Sequence, residues 1–219
     1  MEVIHYLIQL LQDPSGAIAG WIQTMGAWAY APVAAIVFVE TGVVVMPFLP
    51  GDSLLFAAGV FAGPDGGFSL APLLVIVWAA AIFGDQCNFL IGHFFGRRII
   101  SSGRVKALTP ERTAKAEALL EKYGPLAIFL GRFMPFVRTV IPFLAGAGGM
   151  KWHSFVVWNV IGAIVWSTTF ILLGRFFGGI PFVQANFELV VVLIVAVSVV
   201  PVAFGVAKAW LGKRRAHAA

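Results

Sequence analysis

Long apolar runs with few charges dominate the hydrophobic pattern of the chain. Three runs are long enough to cross a membrane, because about 20 apolar residues span its hydrocarbon core: residues 68–95, 154–174 and 189–211. Residues 1–25 instead mix apolar and polar positions at helical spacing, which predicts a short amphipathic, interfacial helix that Pro14 ends. The pattern as a whole predicts an all-α integral membrane protein.

Two further apolar stretches, residues 27–63 and 125–150, are interrupted by prolines and glycines. The prolines are Pro47 and Pro50 in the first stretch and Pro135 and Pro142 in the second. Proline removes a backbone donor and clashes with the preceding turn, so each stretch should contain a broken helix. At least one limb of the first stretch is shorter than a crossing requires. We therefore predict two re-entrant helical hairpins.

The two halves of the sequence resemble each other. Pro142–Gly146 repeats the pattern of Pro47–Gly51, and Ile91–Arg97 resembles Leu173–Gly179. Each half thus consists of a hairpin and a crossing helix that ends in a Phe-Phe-Gly corner. The distribution of basic loops places the end of the first crossing inside the cell and the end of the second outside. These features predict an inverted repeat, an arrangement that many secondary transporters share.

The main polar segment, residues 96–124, carries a large share of the basic residues. Thr109 as N-cap, Pro110 at the first helical position and Gly124 as terminator predict a helix inside it. Its apolar stripe of Ala116, Leu119, Leu120 and Tyr123 suits a helix on the membrane surface. The positive-inside rule places this loop and the basic C-terminus in the cytoplasm, while the side of the N-terminus stays open.

The composition agrees with this class of protein. The 219 residues are 60% hydrophobic and 11% charged, whereas a soluble domain carries about 25% charged residues. The net charge of +5 resides in short loops and at the C-terminus, so it indicates topology and not nucleic-acid binding. No cluster has metal-ligand spacing, and no hydrolase or nucleotide-binding motif occurs. We therefore expect neither an enzyme nor a metal or cofactor site.

Five ionisable residues are predicted at membrane depth: Glu40, Asp52, Asp85, Arg132 and Arg138. Each would be costly alone, by about 2.5–3.5 kcal/mol on insertion scales, so each needs a partner or a task. We expect Glu40 and Asp52 to lie within contact or one-water distance of the two arginines. Most tryptophans, Trp166 among them, are expected in interfacial aromatic belts.

Two interpretations of these charges stay open at this point. In the first, they pair and merely hold the hairpins together. In the second, they take part in transport: three acids face two bases, so one carboxylate lacks a fixed partner and can bind a proton in a low-dielectric medium. The planar guanidinium of arginine is suited to a phosphate. Asp85 fits a supporting role and a functional role equally well.

These motifs resemble those of the DedA family of bacterial inner-membrane proteins, part of the SNARE-associated/VTT-domain superfamily. The resemblance covers nearly the whole chain and rests on these segments: Phe38–Gly42, Pro47–Ser53, Gly84-Asp85, Gly131–Thr139 and Pro142–Gly146. It implies two opposed re-entrant hairpins and lipid translocation linked to the proton motive force. It also implies that the family's essential acids fall on Glu40 and Asp52 and its essential arginines on Arg132 and Arg138.

The sequence thus predicts a multi-pass transporter of the bacterial inner membrane with a cytoplasmic C-terminus. The resemblance makes undecaprenyl phosphate or a related phospholipid the expected substrate, with phosphatidylethanolamine as an alternative. Arg132 and Arg138 would bind the lipid phosphate, and Glu40 and Asp52 would couple protons. Five residues are predicted to support them: Asp85, Asn88, Thr41, Ser53 and Thr139.

Two other functions compete with lipid transport. A small-ion or proton antiporter would need only an axial cavity, whereas a flippase needs a lateral opening beside the arginines. A membrane scaffold protein would have dispensable intramembrane charges and an essential polar loop. The expected partners are the lipid substrate, protons and membrane lipids, with no nucleic acid, and a homo-oligomer stays open.

Overall fold

The computed structural model describes residues 13–43, 51–63, 66–102, 108, 110–134, 137–178 and 180, and this part of the chain is helical without strands. The elements are α1 Pro14–Met25, a 3-10 turn Gly26–Ala29, α2 Tyr30–Gly42, α3 Gly51–Val60, α4 Leu70–Ser102, α5 Pro110–Tyr123, α6 Leu126–Gly131, α7 Val137–Ala147 and α8 Trp152–Phe177. Several sequence predictions lie outside the described residues: the crossing segment 189–211, the C-terminus, residues 1–12, Thr109, Pro47, Pro50 and Pro135.

Three helical stretches of the described chain are long and apolar enough to cross a membrane. They are Pro14–Gly42, Leu70–Gly96 and Trp152–Phe177. The second and third confirm that helices long enough to cross lie at 68–95 and 154–174, although α4 itself continues to Ser102. The first was not expected as one stretch, because the sequence divided it between an interfacial helix and a hairpin limb. The helices α3 and α7 are shorter than a crossing requires.

Pro14 begins a helix, which the sequence pattern did not predict, and the segment that it was expected to end lies outside the described residues. It is the first residue of α1, where the missing N–H of proline would have no helical partner in any case. The side chain of Asp13 caps this end, its Oδ1 accepting a hydrogen bond of 2.8 Å from the Gly16 amide. Capping side chains satisfy the free amides of a first turn and so favour a helix start here.

Pro142 lies inside α7, so the prediction that it interrupts the second hairpin is wrong. The helix runs from Val137 to Ala147 through the proline. One proline removes one backbone hydrogen bond, and packing of the buried helix against α4 opposes a break. The helices α6 and α7 are separate, with α6 ending at Gly131 and α7 beginning at Val137. Pro135, the other predicted interruption, falls in this interval but lies outside the described residues.

The polar-segment helix α5 packs on the second hairpin. Gly124 follows its last residue with φ of +57°, as the predicted terminator should. However, Ala116 is fully buried, and Leu119 and Leu120 pack against the same apolar cluster as α7. The stripe therefore faces a protein partner, and the position of this helix at the membrane surface stays a prediction. An apolar stripe shows that one face of a helix must be covered by an apolar surface, but it does not show which surface covers it.

Each short hairpin helix packs against the crossing helix of the opposite half. The helix α3 lies on α8, and α7 lies on α4. Glycines permit both contacts: a Cβ on Gly92 would lie 2.0 Å from the Phe143 carbonyl oxygen, and one on Gly146 would lie 2.1 Å from that of Phe89. In the other pair, a Cβ on Gly59 would meet the Ile171 oxygen at 2.1 Å, and one on Gly174 the Phe56 oxygen at 1.9 Å.

These reciprocal contacts define the register of the internal repeat. Phe56–Val60 corresponds to Phe143–Ala147, because each segment places a phenylalanine carbonyl and a glycine in the same close contact. The predicted match between Pro47–Gly51 and Pro142–Gly146 is therefore out of register. The match between Ile91–Arg97 and Leu173–Gly179 agrees with the contacts of Gly92 and Gly174. The inversion of the halves relative to the membrane stays a prediction.

The apolar core has two parts, and each surrounds one hairpin helix. One cluster gathers around α3 with residues of α1, α2, α4 and α8, and the other gathers around α7 with residues of α4, α5, α6 and α8. The intramembrane charges lie between these clusters, where α3 and α7 begin. Two apolar bodies thus enclose one polar layer.

Candidate functional site

Helix ends bring the charged residues together. Glu40 lies in the last turn of α2, Asp52 in the first turn of α3 and Arg138 in the first turn of α7. Gly51 makes room for the arrangement, since a Cβ there would lie 1.6 Å from Glu40 Oε2. The carboxylate therefore rests directly against the backbone at the start of α3.

Arg138 joins both acids of the first hairpin. Its Nη1 donates to Asp52 Oδ1 at 2.6 Å, and its Nη2 donates to Glu40 Oε1. The predicted contact between the two hairpins is thus present for this arginine. Because a guanidinium carries five N–H donors in a planar fork, one arginine can bind two carboxylates at once.

Arg132 has different partners from those predicted. It forms an ion pair with Asp85 of α4, and its Nη2 donates to Asn159 Oδ1 at 2.7 Å. Its described ion pair and hydrogen bonds do not include Glu40 or Asp52, so the expected direct contact is absent for this arginine, and the one-water distance stays a prediction. Asn159, on α8, is itself fixed by donating to the Ile82 carbonyl at 3.2 Å.

All three acids therefore have an arginine partner. The expectation that one carboxylate would lack a fixed partner is wrong, because Arg138 is shared and Asp85 takes Arg132. With every group ionised, these five residues still carry one excess negative charge. The cluster is therefore not balanced in charge, and Glu40 Oε2 and Arg132 Nε are buried without a hydrogen-bond partner among the described residues. This imbalance is what a proton or another ligand could alter.

Trp166 of α8 lies beside both arginines and not in an interfacial belt. Its side chain is 2% exposed, and its indole N–H donates to Asp52 Oδ1 at 3.0 Å. The guanidinium carbons of Arg138 and Arg132 lie 5.3 and 5.7 Å from its ring centroid. The sequence did not predict a role at the site for this residue or for Asn159, because candidates were taken only from charged residues at membrane depth and their neighbours in sequence, and α8 carries no charge near either position. The available signal was a polar side chain inside an uncharged span.

Asn88 connects the two hairpins through their backbones. Its Nδ2 donates to the Thr41 carbonyl at 3.1 Å and to the Thr139 carbonyl at 2.8 Å. The Thr41 hydroxyl bonds back to its own helix at Val37. Ser53 is half-buried in the first turn of α3. The predicted supporting residues thus lie close to the charges. Thr41 and Thr139 take part through their backbone carbonyl groups, which accept hydrogen bonds from Asn88.

The two ion-pair groups differ in exposure. The side chains of Arg132 and Asp85 are each 5% exposed, whereas those of Arg138 and Asp52 are 15% and 19% exposed. A ligand can therefore reach the Arg138–Asp52 pair more readily than the Arg132–Asp85 pair. Within the described residues, no group of His, Cys, Asp and Glu could hold a metal ion. The arrangement offers guanidinium and indole donors to an anion, inside an apolar bundle.

The three helical stretches long enough to cross a membrane and the buried ion pairs define an all-helical polytopic membrane protein. Residues 49–176 match the model of the VTT domain. That match covers more than half of the chain, and the chain therefore belongs to the DedA family of VTT-domain membrane proteins.

Several relatives resemble the chain over most of their length. It is 41% identical over 202 residues to "Protein DedA" of Escherichia coli (strain K12), covering 92% of each protein. It is 33% identical over 200 residues to the uncharacterized membrane protein Rv0364 of Mycobacterium tuberculosis (strain ATCC 25618 / H37Rv), covering 90% of this chain and 88% of the relative. It is 32% identical over 178 residues to the inner membrane protein YghB of Salmonella typhimurium, covering 81% and 80%. No solved structure matches the chain.

Proposed function

We propose that this protein is a lipid transporter that moves a phosphate-bearing lipid, undecaprenyl phosphate, across the bacterial inner membrane. The transport is linked to the proton motive force. The observation that carries the proposal is the partly accessible Arg138–Asp52 pair, which lies among buried ion pairs between two apolar bodies. A membrane fold has no need of an accessible ion pair for stability alone, because an apolar pair of similar volume is often equally stable. The pair therefore favours a ligand-binding role.

A phosphate head group fits the donors of this site. Guanidinium binds phosphate oxygens bidentately and stays charged when buried. Arg138 lies in the first turn of α7, where the helix N-terminus adds further attraction for an anion. Arg132 is nearly sealed by Asp85 and Asn159. We infer that Arg138 makes the primary contact and that Arg132 supports it.

The excess negative charge of the cluster suggests the coupling to protons. An incoming phosphate must displace a carboxylate from Arg138, and the displaced group would then be an unpaired charge in a low-dielectric layer. Neutralising that carboxylate with a proton removes this cost. Glu40 and Asp52, which share Arg138, are the residues to which the proposal gives this task.

The orientation of the protein also forms part of the proposal. Several relatives are named membrane or inner membrane proteins. The excess of basic residues in 96–124 and at the C-terminus supports a cytoplasmic side for both. Phosphatidylethanolamine is the alternative substrate, since its phosphodiester also presents anionic oxygens to a guanidinium. A small-ion antiporter and a membrane scaffold remain the competing functions.

Transport by reconstituted protein tests the proposal. Undecaprenyl phosphate is placed in proteoliposomes, and its leaflet-to-leaflet movement is measured with and without an imposed proton gradient. We expect Arg138→Lys to abolish movement, because an ammonium cannot reproduce the two-pronged contact. Glu40→Gln should also abolish it, because it keeps the shape and removes the titrating group.

A matched variant controls for the loss of an arginine in general. Arg175 also lies on a membrane helix and donates to a backbone carbonyl, that of Ala62, outside the cluster. Arg175→Lys should transport at the wild-type rate. If Arg138→Lys and Glu40→Gln do the same, the proposed roles are wrong. Ion flux without lipid movement would support the antiporter, and normal cell physiology with all cluster charges removed would support the scaffold.

A further inference from the structure

Trp166 contacts both arginines of the cluster, although the transport proposal gives it no task. Its ring faces the guanidinium groups of Arg138 and Arg132 at 5.3 and 5.7 Å from the centroid. A guanidinium within about 6 Å of a tryptophan face is attracted to it, most strongly where water is excluded. The side chain is buried in the apolar cluster around α3, which fixes its position.

Two N–H donors from different helices converge on one oxygen beside this ring. Asp52 Oδ1 accepts from Arg138 Nη1 at 2.6 Å and from Trp166 Nε1 at 3.0 Å. An oxygen of a phosphate is an anionic acceptor of the same kind and size, and it would be satisfied by the same pair of donors. The Asp52 carboxylate therefore occupies a position that suits an oxygen of an external anion.

Asp52 is the acid of the cluster that can most readily leave its position. Its side chain is 19% exposed, whereas those of Glu40 and Asp85 are 1% and 5% exposed. It also lies in the first turn of a short helix that begins at Gly51. Trp166, by contrast, is held near the middle of the 26-residue α8. When the carboxylate moves away, the indole N–H stays in place as a donor.

We propose that Trp166 is a direct ligand of the transported phosphate. A phosphate oxygen takes the position of Asp52 Oδ1 and accepts hydrogen bonds from the indole of Trp166 and the guanidinium of Arg138. The ring of Trp166 at the same time keeps Arg132 beside Arg138. This inference rests on the proposed function and adds a third phosphate ligand to it. Because the indole N–H is a donor only, it selects an acceptor oxygen and cannot accept a hydrogen bond from a ligand.

Transport kinetics with a matched tryptophan variant test the inference. Trp166→Phe keeps an aromatic face and removes the N–H. The control is Trp78→Phe, because the indole of Trp78 also makes one hydrogen bond of 3.0 Å, to Thr168 Oγ1. For undecaprenyl phosphate in proteoliposomes, we expect Trp166→Phe to raise KM roughly tenfold, as for loss of one hydrogen bond to a charged group. Its kcat should change less than its KM, and Trp78→Phe should match the wild type in both.

A binding measurement on the wild-type protein supplies a readout that does not depend on transport. The indole ¹⁵N–¹H resonance of Trp166 is followed while undecaprenyl phosphate is added, with undecaprenol, which lacks the phosphate, as the matched ligand. We expect undecaprenyl phosphate alone to shift this resonance and to leave that of Trp78 unchanged. The resonance is assigned by its disappearance in Trp166→Phe. If that variant does not fold, the resonance is assigned by its shift in Asp52→Asn, which changes the group that accepts the indole hydrogen bond.

The outcomes separate this inference from the function on which it rests. If wild-type protein transports the lipid but Trp166→Phe behaves like Trp78→Phe, Trp166 is not a ligand and the transport proposal stands. The same conclusion follows if both lipids shift the resonance equally or neither shifts it. If the wild type neither moves nor binds undecaprenyl phosphate, the proposed function fails and this inference fails with it.

Discussion

Alanine at Gly92 would disturb the contact that holds α7 on α4. A Cβ there would lie 2.0 Å from the Phe143 carbonyl oxygen, whereas ordinary contact begins at 3.4 Å. The opposing atom is backbone, so no side-chain rotation relieves the overlap. The two helices would have to separate by roughly 1 Å, a shift that a close-packed interior does not absorb freely.

Two opposing terms set the size of the effect. Alanine in place of a helical glycine gains about 1 kcal/mol from helix propensity. Overpacking of a well-packed interior costs about 1–3 kcal/mol, and a gap of about 1 Å along the interface removes a quarter to a half of each dispersion contact. We expect a net destabilisation of about 1–2 kcal/mol, which corresponds to a melting temperature lower by roughly 2–8 °C for a chain of this size.

Thermal unfolding in detergent measures this prediction. Gly20→Ala is the control, because Gly20 lies within the helix α1 and a Cβ there meets no described atom within 4 Å. It should leave the melting temperature unchanged or raise it slightly. Gly174→Ala, at the equivalent contact of α3 with α8, should lower it as Gly92→Ala does. A Gly92→Ala protein as stable as Gly20→Ala would refute the close-contact reasoning.

Three further predictions concern single contacts of the described chain. Asp85→Asn should lower the free energy of unfolding by about 3–5 kcal/mol, because it leaves the charge of Arg132 buried and unpaired. Adding Arg132→Met should recover most of that loss. Denaturant titration in micelles measures both variants, and a double variant that recovers no stability would contradict the ion pair between these residues. Asn88→Leu should cost about 1–3 kcal/mol in the same assay, since two backbone carbonyls lose their donor, and wild-type stability would rule out the bridge. Arg175→Met should cost about 1–3 kcal/mol by removing the donor to the Ala62 carbonyl, and an unchanged midpoint would show that this bond is dispensable.

The class of fold could be predicted because membrane solvation acts on the sequence directly. The uncharged runs around α4 and α8 are long enough to span a bilayer, and the structure has helices there. Prolines were harder to interpret, because their effect depends on position within a helix. Pro14 at a first turn and Pro142 in a buried helix both lie where neighbours tolerate a missing donor.

The charged residues of the site could be identified, but their pairing could not. Charges at membrane depth are conspicuous in a sequence because they need partners. Which acid meets which arginine depends on helix packing, and α4 and α8 place Asp85 and Asn159 beside Arg132. Trp166 was missed for the same reason, since an interfacial and a buried tryptophan look alike in sequence.

The register of the repeat shows a further limit of sequence comparison. Pro47–Gly51 and Pro142–Gly146 share more letters than Phe56–Val60 and Phe143–Ala147 do. In the structure, Phe56–Val60 and Phe143–Ala147 are nevertheless the equivalent segments, because each presents a glycine and a phenylalanine carbonyl to a crossing helix. Backbone contacts require a small residue at one position and leave its neighbours free to vary.

The exchange of hairpin helices between the halves constrains how the chain can be assembled during synthesis. When α3 and α4 enter the membrane, the helices on which they pack, α8 and α7, have not yet been made. A ribosome adds roughly 5–20 residues per second, so Asp52 waits several seconds before Arg138 and Trp166 emerge. A ribosome stalled after α4 would therefore leave three carboxylates, Glu40, Asp52 and Asp85, without their arginine partners and two uncovered glycine-lined helix faces in the bilayer. These are features by which membrane quality control could detect an unfinished chain.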